Sequence, residues 1–283
     1  MIEILHKIIE SILPFAWVKY DFMKNALLAV VLVTPVFAII GTMVINKHMA
    51  FFSDVLGHSA LTGVAIGVIL GFNDPTLPMI ALAVFIAIAV TCFKAATNAA
   101  SDTVLGVFFA IVVSLGVVLL SRGGGFARYT AYLIGDILSV TPNQIFVLAT
   151  IALCVFLYWI IFANRLTLVS VNSSLAASRG INVLLIEISF AVLTAVVVIL
   201  SIRLVGVLII NSLLILPAAA SRNISRDLQS YTIWAIIISL LSGVAGLVAS
   251  YYWGTASGAT IVLFAALFYC LTALFRMIRV RLN

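Results

Sequence analysis

The residues best placed to do chemistry open the second long apolar run, Ser53-Asp54-Val55-Leu56-Gly57-His58. Asp54 and His58 are spaced i, i+4, so a helix sets a carboxylate and an imidazole on one face, one turn apart. Oxygen and nitrogen donors presented together make half of a coordination shell suited to Zn²⁺, Mn²⁺ or Fe²⁺. One Asp and one His cannot close that shell, but two copies facing each other across a dimer axis would bring four ligands. The plain alternative is a local Asp–His hydrogen bond that holds two helices together. Counted from Lys47 at 1.5 Å per residue, His58 lies about 16 Å deep, near the middle of a hydrocarbon core roughly 30 Å thick. Ionisable groups at such depth are costly to bury and therefore point to function.

Other residues are secondary candidates. Glu187, near the start of the sixth apolar run, either lines a pathway, snorkels, or pairs with Arg179. Asn211 and Ser212 precede Pro217 in the seventh run; the Asn amide offers an oxygen ligand, with helix–helix hydrogen bonding as the alternative. Gly63, Gly67 and Gly71 follow the Asp–His pair at four-residue steps, a row that lets helices approach closely. Asp102, after Ser101, reads as a cap or first-turn charge, and Asp136 as a gate or a buried cap. His6 and His48 read as interfacial.

The elements that must position these groups follow from composition. Of 283 residues 65% are hydrophobic and 8% charged, and the mean hydropathy is +1.32. Soluble domains carry about 25% charged residues, so the outer surface of this chain must face lipid. Only helices and closed barrels satisfy their backbone polar groups there. Barrel strands alternate over about ten residues, whereas runs such as Ala26 to Ile45 and Ile181 to Ile202 are continuous. The fold class is therefore all-α, a polytopic helical membrane protein with about 8–9 transmembrane helices. Candidate spans are 25–45, 51–71, 77–93, 101–121, 143–163, 181–201, 204–221, 231–250 and 257–275, each near the roughly 20 residues a crossing needs. The stretch 129–140 reads as a short re-entrant element.

Residues 1–22 differ. Ile4, Leu5, Ile8, Ile9, Ile12 and Leu13 share one face while Glu3, His6, Lys7 and Glu10 lie elsewhere, the pattern of an amphipathic interfacial helix. Its charges interrupt any signal-peptide core. Residues 23–283 then form the transmembrane domain. With nine spans and a cytoplasmic C-terminus, the inner side collects Lys47, Lys94, Arg165, Arg179, Arg222, Arg226, Arg276, Arg279 and Arg281. The outer side receives Lys7, Lys19, Lys24, Arg122, Arg128 and Arg203, so the positive-inside bias favours this orientation. Tyr251, Tyr252 and Trp253 mark the outer interface, and Tyr231 with Trp234 the inner one. Cys92, Cys154 and Cys270 have no CxxC spacing and read as small buried hydrophobes. The net charge of +6 forms no basic stripe with interleaved aromatics, which excludes nucleic acid as a partner.

The longest polar segment, about 165–180, is rich in Ser and small residues and ends at Gly180. It reads as a connector or as a short helix that docks on a cytoplasmic partner. No GxxxxGK[ST] loop occurs in the sequence, so any ATP used must be bound by a partner.

Taken together these segments resemble the permease subunit of the zinc/manganese/iron(II) ABC importers over nearly the whole chain. The resemblance rests on SDVLGHSALTGVAIG (Ser53 to Gly67), SDTVLGVFFAIVVSLGVVLLS (Ser101 to Ser121), AYLIGDILSVTP (Ala131 to Pro142) and RLVGVLIINSLLILPAAASR (Arg203 to Arg222), in that order. It implies a homodimer in the cell (plasma or inner) membrane, two cytoplasmic ATP-binding subunits, an extracytoplasmic metal-binding protein, and Asp54 and His58 on the permeation path. The cargo would be Zn²⁺ first, Mn²⁺ second and Fe²⁺ third, with no permanently bound cofactor and no enzymatic activity in this chain. Ser174, Ala176 and Gly180 would belong to the segment coupled to the ATPase. Two places depart from the family pattern: Gly254 and Ala256 stand where an acid and a proline often occur, and Ser174 where an acid often precedes Leu-Ala. Two rivals remain. A stand-alone proton-coupled transporter would use Glu187 as a carrier and need no ATPase; a siderophore or cobalamin ABC permease would have no need of the Asp54–His58 pair.

Overall fold

The computed structural model describes residues 6–7, 9–11, 15–97, 99–122 and 136–282. Among the described residues ten helices can be followed from end to end: α1 (Asp21–Asn46), α2 (Phe52–Ile69), α3 (Thr76–Thr97), α4 (Ser101–Arg122), α5 (Pro142–Val171), α6 (Ser173–Ser178), α7 (Val183–Val205), α8 (Val207–Ile224), α9 (Leu228–Trp253) and α10 (Ser257–Leu282). All but the short α6 are long and apolar enough to cross a membrane, giving nine among the described residues. The polytopic all-α class and the run of spans therefore match what hydropathy predicts. Of the expected element at 129–140, residues 129–135 lie outside the described residues. The remainder is a 3-10 turn, Ile137–Ser139, which the Asp136 carboxylate caps by accepting from the Leu138 N–H at 3.0 Å. Asp136 is exposed, not buried.

The chain divides into two compact units, one formed by residues 1–42, 136–154 and 204–283 and the other by residues 43–135 and 155–203. In the first, glycines and hydroxyls bring helices together. A Cβ on Gly246 of α9 would come 2.5 Å from the Ile261 Cα of α10, and one on Gly41 of α1 would run into the Leu214 carbonyl oxygen of α8. Ser239 Oγ donates to the Thr34 carbonyl at 3.0 Å, so α1 and α9 are joined by a polar bond that lipid cannot compete for. Tyr231 also belongs to this core: it is 5% exposed, and its hydroxyl donates to the Thr42 carbonyl at 3.5 Å. It is a packing residue, not the interfacial anchor expected, because its ring turns inward while Trp234, 43% exposed, faces out. Lys24, counted among the outer-loop charges, lies inside α1, buried, and pairs with Asp21 at 2.9 Å and with Glu10. Of the expected N-terminal helix, His6, Lys7 and Ile9 to Ser11 are described and helical. His6 Nε2 meets Asn25 Oδ1 at 3.0 Å, so the polar groups of this segment attach it to α1.

In the second unit α2 packs on α3 and α4. A Cβ on Gly63 would come 2.6 Å from the Met79 Cα, and one on Gly67 would press on Pro78. Thr62 Oγ1 donates to the Val112 carbonyl at 2.9 Å, opposite Gly116. Gly71 does not continue the packing row. It has φ +78° with open space around it, and it ends α2 by letting the Phe72 N–H reach the Gly67 carbonyl at 2.9 Å, a left-handed C-terminal cap that suits glycine. The outward surfaces are apolar. Leu263, Leu267, Leu271 and Leu274 of α10 are each more than half exposed, a stripe that only a lipid environment makes inexpensive. Cys92, Cys154 and Cys270 are exposed on this same kind of surface, correcting their expected burial: the outside of a membrane protein is as apolar as its core.

Candidate functional site

Helix α2 begins at Phe52 without a side-chain cap, and Asp54 falls in its first turn, where the positive end of the helix dipole favours a carboxylate. Along α2, Val55, Leu56, Gly57, Ser59 and Ala60 are buried, whereas Asp54, His58 and Leu61 are half-buried. These three are spaced i, i+4, i+7 and so form one face. Side chains at i and i+4 sit about 5–6 Å apart at Cβ, and His58 acts electrostatically on Asp54. The His58 ring meets Phe109 of α4 edge to face, with centroids 5.0 Å apart and planes at 84°, which fixes the tilt of the imidazole. The structure thus brings the two ligand candidates together on an incompletely covered face. Residues 47–51 form a turn, so the helical rise applies only from Phe52, and His58 lies six residues into the helix, about 9 Å along its axis from its start.

Among the described residues no group of three or more His, Cys, Asp or Glu is placed to hold a metal ion. The Asp54–His58 pair is therefore at most half a site within one chain. Asn211 and Ser212 are half-buried in α8, where Ser212 Oγ donates to the Leu208 carbonyl at 2.6 Å. They belong to the other compact unit.

Glu187 forms an ion pair that none of its expected roles included. Its carboxylate lies 3.3 Å from Lys47 Nζ, a residue 140 positions away, instead of pairing with Arg179. Lys47 is 8% exposed and sits over the Phe190 ring at 5.6 Å. Burial pushes its ammonium below the usual lysine range; Glu187 opposes that shift and Lys94 adds to it. Met49, Thr91, Lys94, Phe190 and Ala191 complete a small pocket around the pair. Two lysines around one carboxylate leave it short of negative charge.

The segment between α5 and α7 is more ordered than a connector. α5 continues to Val171, and its 30 residues span about 45 Å, longer than the hydrocarbon core. Asn172 caps α6, accepting from the Leu175 N–H at 2.9 Å. Gly180 has φ +75°, and the Ile181 N–H closes the turn on the Ala176 carbonyl at 3.1 Å. Ala176 is buried, whereas Ser174 and Leu175 are exposed, as is Val171. Within α6 the exposed Ser174 and Leu175 stand beside the buried Ala176, so its exposed side is offered to a partner while Ala176 anchors it.

The comparisons with known proteins agree with this architecture. The chain is 35% identical over 258 residues to the high-affinity zinc uptake system membrane protein ZnuB of Haemophilus influenzae, covering 89% of this chain and 97% of that protein. It is 26% identical to the manganese transport system membrane protein MntC of Listeria monocytogenes, covering 91% of each. Its fold matches a chain of PsaBC from Streptococcus pneumoniae, solved in complex with Fab, at a TM-score of 0.77 and 27% identity over 96% of this chain and 95% of that one. Residues 19–276 match the model of the ABC 3 transport family, and the chain belongs to that family.

Proposed function

We propose that the chain is the membrane permease of an ABC importer that brings divalent transition-metal ions, zinc first and manganese second, into the cytoplasm across the cell membrane. The single observation that carries this reading is the half-buried Asp54–His58 face of α2, in a chain whose relatives are named for zinc uptake and manganese transport. Two copies of the chain set these faces toward each other, and two carboxylates with two imidazoles replace part of the hydration shell of the ion. That donor set suits tetrahedral Zn²⁺, and added waters complete an octahedron for Mn²⁺. An extracytoplasmic metal-binding protein delivers the ion. Two cytoplasmic ATP-binding subunits dock on α6 through exposed residues including Ser174 and Leu175. Gly180, whose φ of +75° would strain most other residues by about 1–2 kcal/mol, sets the angle at which α6 returns to α7.

A pair of copies is the requirement most easily tested. Native mass spectrometry of the complex with its ATPase, and cross-linking in membranes, should both find two copies of this chain. A complex active with one copy contradicts the four-ligand site.

A further inference from the structure

The Lys47–Glu187 pair stands between the two regions on which the proposed function depends, and its surroundings favour transmission over simple filling. Glu187 lies in the second turn of α7, whose first turn is capped by Asn182 Oδ1 accepting from the Leu185 N–H at 3.1 Å. Two residues before Asn182 is Gly180, and before it α6. On the other side, Lys47 begins the turn that leads into α2. That turn is closely bonded: Lys47 N–H to the Met43 carbonyl at 2.9 Å, Met49 N–H to Val44 at 3.0 Å, and Phe52 N–H to Met49 at 2.9 Å. His48 in its middle holds φ +54°, a conformation that costs a non-glycine residue energy and persists only where surroundings enforce it. Two of these bonds tie the turn to the end of α1 and the third ties it to Phe52 of α2, so Lys47 and the start of α2 share one bonded turn, with Asp54 two residues further on.

We propose that Lys47 and Glu187 are positioning residues, a tie that carries movement of α6 and the head of α7 to the helix bearing Asp54 and His58. The inference rests on the proposed function, since it takes α6 to be the segment that meets the ATPase. The pair suits the task because its 3.3 Å contact has a buried Lys47, held on one side by the Phe190 ring, against a Glu187 side chain 24% exposed; an ion pair with one partner buried is screened less than one in open solvent. Lys94 faces the same pocket from the last turn of α3. Loss of the Glu187 charge would thus leave two ammonium groups repelling each other and push the turn away from α7.

The test uses the full complex of this chain, its ATPase and its binding protein in proteoliposomes, reading radiolabelled Zn²⁺ moved per ATP hydrolysed. Lys47→Met and Glu187→Gln should each lower that ratio by at least about fivefold, the lower end of typical coupling between sites, while ATP hydrolysis continues. The doubly exchanged Lys47→Glu, Glu187→Lys complex should regain much of it. Glu187→Asp keeps the charge but shortens the reach, and should lower the ratio in a complex that still assembles if the neutral variants do not. Unchanged ratios in the variants that assemble, or an exchanged pair no better coupled than the single variants, overturn the tie. If the wild-type complex hydrolyses ATP without moving Zn²⁺ or Mn²⁺, the underlying reading falls and the tie with it. A transporting wild type with normally coupled variants overturns the tie alone.

Discussion

Asp54→Asn should abolish ATP-driven uptake of Zn²⁺ and Mn²⁺ while leaving insertion and dimerisation as in wild type. The substitution keeps the size and shape of the side chain and one acceptor oxygen, while it removes the charge and turns the second oxygen into an N–H donor. If the carboxylate merely braced a helix, the amide would serve nearly as well. As a ligand it would fail, because a neutral amide oxygen cannot offset a divalent ion leaving water. Loss of an outer partner of a metal ligand already changes affinity or activity by about 10–100-fold, so loss of the ligand charge should exceed that. His58→Ala should match it, and the double variant should be no worse than either single one, since the ion needs both. Uptake of isotopically enriched Zn²⁺ or Mn²⁺ into cells lacking other importers reads the outcome. Near wild-type transport by Asp54→Asn would make the carboxylate structural.

The second large effect is on folding. Gly41 sits in the interior of α1, where a Cβ would overlap the Leu214 carbonyl oxygen of α8. The obstacle is backbone, so no rotamer change relieves it, and the helices must separate. Overpacking typically costs about 1–3 kcal/mol when side chains can adjust; here whole helices must move, and Gly41→Val should leave little folded protein. Size-exclusion profiles of detergent-extracted, fluorescently tagged chain should show a collapse of the monodisperse peak. Gly71→Ala is the contrast, because its surroundings are open and only its positive φ resists, so it should yield folded protein with a modest loss of thermal stability. A monodisperse Gly41→Val chain with the wild-type melting temperature would mean that α1 and α8 do not depend on this approach.

These two positions show which features were legible in the sequence. Asp54 and His58 were readable because helical periodicity is local: four residues apart in a continuous apolar run fixes a common face. Span positions were readable for the same reason, since hydropathy is summed over neighbours. What failed depends on tertiary contact. Glu187 finds Lys47 across 140 residues, and no local rule prefers it over Arg179, which is close in sequence. Gly71 shares the four-residue step of Gly63 and Gly67, yet the helix has ended, so its role passes from packing to capping. Tyr231 near a helix end resembled an interfacial anchor, and only its contact with Thr42 reveals it as core. The helical count from Lys47 to His58 was too long because five residues counted as helix form a turn. Gly41 drew no notice, because a lone glycine carries no pattern, and its close neighbour Leu214 is far along the chain.

As a permease subunit, this chain should move metal ions only as part of an ATP-driven assembly. The most direct test is uptake of radiolabelled Zn²⁺ by proteoliposomes that contain the chain with its ATPase and binding protein, compared with proteoliposomes that contain the chain alone. Uptake should require ATP on the cytoplasmic side together with all three components, and a proton gradient should not substitute for ATP. Zn²⁺ accumulation by the chain alone, driven by a proton gradient and lost in Glu187→Gln, would contradict this requirement and identify a secondary transporter instead.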